Sequence, residues 1–308
     1  MILLWGVPGD GPFDAVSREL TRLRADVRVL DQRDASRCDV SLRVAGRHLV
    51  GTVVGPGTND RLPLEDIRAA YLRPVETERA LPASQTPGSA EHVRAEAVDR
   101  ALITWSDLAT GLVVNRPARM AANNSKPFQL RQIAANGFDV PETLVTTDPQ
   151  AVHGFLRRHE RVIYKSISGV RSIVSVLGAA GRERLDAVAH APTQFQEHIP
   201  GVDVRVHVVG DETFATEART SADDYRYASR GGHALTLAAV SISESLASRC
   251  RRMAADMGLL VAGIDLRHTP DDRWVCFEVN PSPAFVFYEE ATGQPIANAI
   301  ARALVNAG

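Results

Sequence analysis

The sequence predicts an α/β fold of two or three packed units. Three observations carry that expectation: a length of 308 residues, a balance of 44% hydrophobic to 23% charged positions, and short apolar runs that alternate with stretches of helical period. This composition excludes disordered and collagen-like chains. No apolar run reaches the roughly 18 residues that suggest a membrane span, and the opening MILLWGVPGD lacks a basic n-region and a cleavage pattern. A soluble, cytoplasmic protein with no membrane partner is therefore expected. Thirty-five basic residues against 37 acidic ones give a net charge of −2, without the basic excess that drives binding to nucleic acid. Cys38, Cys250 and Cys276 are odd in number and far apart, which predicts idle thiols rather than a disulfide framework or zinc pair.

Residues 1–118 read as one α/β unit. Met1–Val7 is a short apolar strand, Phe13, Val16, Leu20 and Leu23 recur at helical spacing, and Val27–Leu30 is a second strand. Val40–Ala45 and His48–Val54 flank Gly46 as a hairpin. A turn-rich loop precedes a long helix over Ser89–Thr110, with Val93, Ala97, Ala101 and Leu108 on one side, and Val113–Asn115 follows as a strand. The glycine-rich segment from Gly6 to Gly11 fits no phosphate-loop pattern and reads as a turn.

Residues 119–195 form a smaller unit. Pro127–Ala135 is a helix, Glu142–Val145 a strand, and Asp148 caps a helix running to about His159. Strands at Val162–Lys165 and Ser172–Leu177 flank the small-residue loop from Ser166 to Val170. Residues 196–308 carry strands at Val202–Val209 and Thr213–Glu217, an Arg-rich loop from Arg219 to Gly232, a helix over Ser243–Met257, a two-stranded segment and a final helix from Pro295. His207 alternates among valines and reads as a packed or surface strand histidine rather than a base.

The segment GIDLRHTPDDRWVCFEVN at residues 263–280 is the strongest chemical signal. Pairing His268 with Arg273 places Ile264, Leu266, Val275, Phe277 and Val279 on one apolar face, and Asp265, Glu278 and Asn280 on the other. In that register Asp265 faces Cys276 and lies diagonal to Glu278. Two carboxylates and one amide are hard oxygen ligands suited to Mg²⁺, whose remaining positions go to water and phosphate. Only two of the 35 basic residues are lysines, Lys126 and Lys165, the other 33 being arginine. Lys165 ends an apolar strand before the loop Ser166-Ile167-Ser168-Gly169, whose backbone can approach phosphate oxygens. Lys126 stands at the opening of a helix, near exposed N–H groups.

In order, Asn123-Asn124-Ser125-Lys126, Ile163-Tyr164-Lys165-Ser166, the run Gln196-Glu197-His198-Ile199-Pro200-Gly201-Val202-Asp203-Val204-Arg205, and Asp265 with Glu278-Val279-Asn280-Pro281 resemble the ATP-grasp ligases. The likeness is greatest to the RimK-like branch, which includes ribosomal-protein glutamate ligases and the graspetide (microviridin-type) peptide macrocyclases. It covers about residues 110–305, and Tyr71-Leu72-Arg73-Pro74 resembles a macrocyclase segment.

The resemblance implies an ATP-grasp fold: an N-terminal pre-ATP-grasp α/β domain at 1–118 on the substrate side, a central lobe at 119–195 and a C-terminal lobe at 196–308 with the metal site. It implies that Lys126, Lys165, Ser166, Ser168 and Gly169 hold ATP phosphates. Gln196, Glu197, His198 and Ile199 would line the adenine pocket, and Asp203 would accept from ribose. Asp265, Glu278 and Asn280 would hold two Mg²⁺ ions, with Mn²⁺ able to substitute. Arg205, Arg219 and Arg226 would act as catalytic cations on an acyl phosphate. An ADP-forming ligase joining a carboxylate to an amine or hydroxyl on a peptide or amino-acid substrate is the expectation, with a homo-oligomer left open. Alternatives are a glutamate-adding or dipeptide ligase and, from another class, a nucleotide-binding module without turnover.

Overall fold

The computed structural model describes residues 1–46, 48–56, 61–81, 87–166, 175–220 and 232–307. In the first third, β1 (Ile2–Gly6) is followed by α1 (Gly11–Arg22), β2 (Val27–Asp31), β3 (Asp39–Ala45), β4 (His48–Val54), β5 (Arg61–Pro63) and β6 (Ala69–Arg73). Then come α2 (Thr77–Ala80), α3 (Ala90–Leu108), β7 (Leu112–Val114) and α4 (Pro117–Met120). Strands β2-β1-β6-β7 make a parallel sheet, and β3-β4-β5 a separate antiparallel one. Every residue of β1 is buried, as expected of a strand covered on both faces. Asp10 caps α1 by accepting from the Phe13 N–H, and Ser89 caps α3 through His92. Strand β6 was missing from the strands expected of this region.

The apolar stripe picked out on one side of the long helix is not the side that packs inward. α3 buries Ala95, Val98, Leu102 and Trp105, whereas Val93 and Leu108 are exposed. Both stripes have helical spacing, but the stripe with the indole buries more apolar surface and turns inward.

The middle region runs α5 (Lys126–Ala135), β8 (Thr143–Thr146), α6 (Pro149–Arg158), β9 (Val162–Ser166), β10 (Ser175–Val176), α7 (Ala179–Arg182) and β11 (Thr193–Glu197). Its antiparallel sheet has the order β10-β9-β11-β8. Phe195 and Val162 pack on Val152 and Phe155 of α6, so alternate positions, Gln194, Gln196, Lys165 and Thr143, lie on the opposite face.

The last region comprises β12 (Val202–Val209), β13 (Glu212–Thr220), β14 (Leu235–Val240), α8 (Glu244–Asp256), β15 (Val261–His268), β16 (Trp274–Asn280), α9 (Val286–Thr292) and α10 (Ile296–Val305). Its sheet order is β14-β13-β12-β15-β16. Strand β14 was not expected, and the final helical stretch is two helices rather than one. Val204, Val206, Ile264, Leu266 and Val279 bury one face against Cys250 and Met253 of α8. Helix α10 returns to the first sheet, where Ile296, Ile300 and Leu304 share a core with Ile2, Leu4 and Leu20. Gly201, at φ +147°, sits where a Cβ would lie 2.3 Å from the His268 carbonyl oxygen, so only glycine lets β12 start this close to β15.

The register of β15 and β16 also differs from expectation. A bulge between Asp265 and Leu266 sets Asp265 opposite Glu278 and Leu266 opposite Cys276. Phe277 leaves the apolar face: its ring lies 5.1 Å from the Arg267 guanidinium carbon. The Cys276 N–H donates to the Asp139 carbonyl at 2.8 Å, a bond from outside the hairpin at the shifted position. Cys38, Cys250 and Cys276 are free and buried, as expected, and burial pushes the Cys38 thiol up to about 11 and that of Cys250 to about 12. No helix among the described residues is long and apolar enough to cross a membrane.

Candidate functional site

Register alone builds a polar row across the five-stranded sheet. Thr216 faces Arg205, Arg205 faces Asp265, and Asp265 faces Glu278, so the four side chains project from one face, opposite the α8 core. Arg205 Nη1 lies 2.7 Å from Asp265 Oδ1. From α5, Lys126 Nζ donates to Glu278 Oε1 and, at 3.3 Å, to Asn123 Oδ1. Lys126 and Arg205 are both 5% exposed, which strengthens their pairing with the acids and makes either partner costly to remove. Gln129, one turn on, donates to the Val279 carbonyl at 2.8 Å and accepts from its N–H at 3.2 Å, fixing α5 to β16.

Gly263 makes room for this row. A Cβ there would lie 2.0 Å from Arg205 Nη2, so the bare backbone lets the guanidinium lie across β15. Behind it His207 is fully buried. Its Nε2 accepts from Arg205 Nε at 3.4 Å, and its ring meets that of Tyr288 edge-on at 4.9 Å. Burial, then the Arg205 charge, holds the His207 pKa well below the usual imidazole value. Of the packed and surface placements expected for it, the packed one holds.

Asp265 and Glu278 fit a hard dication. They stand directly opposite one another, where Cβ atoms are about 4.5–5.5 Å apart, and Asn280 lies two residues on along the same strand. Protein cations already engage both carboxylates. Asn280 Oδ1 accepts from the Ser282 N–H at 2.9 Å. Among the described residues no group of three His, Cys, Asp or Glu forms a metal cluster, so the remaining positions would fall to an amide, water or phosphate oxygens.

At the entrance to β12, Asp203 is held by Arg267, whose Nε and Nη2 donate to Oδ1 at 2.9 and 2.7 Å while Nη1 donates to the Ile199 carbonyl at 2.8 Å. His198, Ile199, Asp203, Arg267 and Arg219 line a cavity of about 380 Å³. Arg219 pairs there with Glu217 and belongs to the opposite sheet face from Arg205, so the structure does not bring these two arginines together. The Glu197 carboxylate accepts from the Glu142 N–H at 2.8 Å, on the Phe195 side of its sheet, turned from Gln196. Ser168, Gly169 and Arg226 lie outside the described residues, as does the Ser166 side chain.

On the second sheet, Lys165 faces Gln194 and Ile163 faces Gln196. Gln196 Nε2 donates to Thr143 Oγ1 at 2.8 Å. Thr143 and Val145 share a cavity of about 330 Å³ with Pro127, Leu130 and Arg131 of α5, the helix that also delivers Lys126. The sequence reading missed Gln194, Arg267 and the Lys126–Glu278 link. Polar alternation in Thr193-Gln194-Phe195-Gln196 could have found the first; the link joins residues 152 apart and left no local signal.

Residues 121–304 match the RimK-like ATP-grasp domain. A probable alpha-L-glutamate ligase of Chromohalobacter salexigens is 27% identical over 215 residues, 65% of this chain and 69% of the relative. The ribosomal protein bS6–L-glutamate ligase of Escherichia coli is 28% identical over 201 residues, 61% of this chain and 66% of that one. Among solved structures, the macrocyclase MdnC of Microcystis aeruginosa, bound with precursor peptide MdnA, superposes with a TM-score of 0.82 at 22% identity, covering 99% of both chains. The ATP-grasp ligase PsnB, complexed with a phosphomimetic variant of its minimal precursor, Mg and ADP, gives 0.79 at 27% identity, covering 99% of this chain and 98% of its own.

Proposed function

Because the chain belongs to the RimK-like ATP-grasp family, we propose that it is an ADP-forming ligase that activates a carboxylate of a peptide substrate and joins it to an amine or hydroxyl. The observation that carries this reading is the Thr216–Arg205–Asp265–Glu278 row closed by Lys126. It supplies metal-capable oxygens and buried cations on one surface, as a triphosphate requires. PsnB, similar over nearly the whole chain, was solved with Mg, ADP and a precursor, which supports a peptide over a free amino acid.

Amide or ester formation from a free carboxylate in water needs activation. A carboxylate oxygen forms a bond to the γ-phosphorus while the bond to ADP breaks. The amine or hydroxyl then attacks the acyl carbon, the acyl carbon–oxygen bond to phosphate breaks, and phosphate leaves with the nucleophile's proton. Asp265, Glu278 and Asn280 would hold two Mg²⁺ ions, whose chemistry there would be neutralisation of phosphate charge. Arg205 beside Asp265 would stabilise the acyl phosphate and its tetrahedral successor, since guanidinium matches phosphate geometry. Lys126 and Lys165 would grip the phosphates from the α5 and β9 sides, with Ser166, Ser168 and Gly169 over them. Gln196 and the backbone near Ile199 would hold adenine, and Asp203 the ribose. Residues 1–118 are assigned to the substrate side, where Arg73 bridges Asp10 at 2.7 Å and Ser282 Oγ at 2.8 Å, tying the first sheet to the end of β16.

The test is mass spectrometry of peptides encoded beside this gene, incubated with the protein, ATP and Mg²⁺. Loss of one water with ADP release is the expected outcome. Gain of an amino-acid residue mass would favour the glutamate-adding reading suggested by the curated relatives, and AMP as product would contradict the route.

A further inference from the structure

Gln194 is 0% exposed, yet neither its Nε2 nor its Oε1 has a hydrogen-bond partner among the described residues. Burying an amide without partners costs free energy, so a fold that keeps one calls for an explanation. Its position offers one. Gln194 stands on the central strand β11, directly opposite Lys165, on the sheet face turned from the Phe195 core. Two residues on, Gln196 Oε1 is also buried without a partner among the described residues. One complete amide and one further acceptor are therefore aimed from a single strand into the face that carries Lys165.

We propose that Gln194 reads the N6/N7 edge of the nucleotide base and so sets the preference for adenine over guanine. This rests on the nucleotide-binding reading above. A glutamine amide matches that edge of adenine in both directions: Nε2–H donates to N7 while Oε1 accepts from the N6 amino group. Guanine presents acceptors at both N7 and O6, which would leave Oε1 facing another oxygen, still unpaired and now repelled. A site whose buried amide must be satisfied rejects the wrong base more strongly than an apolar pocket of the same shape does.

The experiment is calorimetric titration of wild type and Gln194→Leu with ATP, GTP and 7-deaza-ATP, each with Mg²⁺. Wild type binds ATP at least about tenfold more tightly than either of the others, as loss of a bidentate base contact implies. In Gln194→Leu the affinity for ATP falls to that for 7-deaza-ATP, and the ATP-to-GTP ratio collapses by about tenfold. The unliganded variant melts no lower than wild type, because the amide it removes has no partner to lose. Gln194→Met provides the same comparison if the leucine variant does not fold. Wild type that binds neither nucleotide overturns the functional reading as well. Wild type that treats ATP and GTP alike, or variants that keep the wild-type discrimination, overturn the role of Gln194 alone.

Discussion

The two sheets that flank the candidate site differ in whether their buried groups facing it are charged and paired or neutral and unpaired. On the five-stranded sheet Asp265 has Arg205, Glu278 has Lys126, and Asp203 has Arg267. On the four-stranded sheet the Gln194 amide and Gln196 Oε1 are buried without partners among the described residues. The difference is one of charge. An unpaired carboxylate in so enclosed a place would cost several kcal/mol, so the acidic half must carry its own counter-ions. A neutral amide costs far less, so that half can keep one buried without a protein partner. Nucleotide and metal would therefore exchange partners on one sheet and add partners on the other.

The largest expected effect comes from the charged half. Glu278→Gln lowers stability, because buried Lys126 loses its counter-charge, and lowers the turnover of the folded protein by about 10³-fold, since metal charge stabilisation is worth several kcal/mol. Steady-state ADP release checks this, and wild-type rates would remove Glu278 from the site. Next comes Gly263→Ala, whose Cβ would stand where Arg205 now lies. Arg205 must move off Asp265, so turnover falls by about 10- to 100-fold and the melting temperature falls with it, because a nearly buried carboxylate loses that counter-ion. If the rate is unchanged, the placement of Arg205 across β15 does not matter.

Two smaller effects test the packing behind the site. Gln129→Leu strips partners from both the Val279 N–H and its carbonyl, and lowers stability by about 1–3 kcal/mol in denaturant titration. His207 is neutral in the fold because burial and Arg205 depress its pKa, whereas the unfolded chain takes up a proton near pH 6.5. Between those two values the unfolded state binds more protons, so stability falls as pH drops below about 6.5. His207→Leu loses that acid-side decline, and a chemical-denaturation series from pH 7.5 to 5 reads it.

The identity of the acids was legible in the sequence, but their geometry was not. Asp265 and Glu278 stood out because carboxylates interrupt two apolar strands, yet the alternation rule assumes an unbroken ladder. One bulged residue, Phe277, moved Asp265 from diagonal to directly opposite Glu278. Lys126 was conspicuous by scarcity, although nothing local predicts that a residue opening α5 meets β16. The inward face of α3 was not legible because two stripes shared one period and only packing against the first sheet chooses between them. Gln194 escaped because a glutamine in a short strand is unremarkable until its burial is known.

The central claim is that a triphosphate and its metal lie between these two sheets, drawing Asp265 and Glu278 from their protein cations. A crystal structure with a nonhydrolysable ATP analogue and Mn²⁺, the ions located by anomalous scattering, tests it most directly. The account predicts manganese on Asp265 and Glu278 and the base against Gln194 and Gln196. Manganese elsewhere, with Arg205 still on Asp265 and Lys126 still on Glu278, would contradict it.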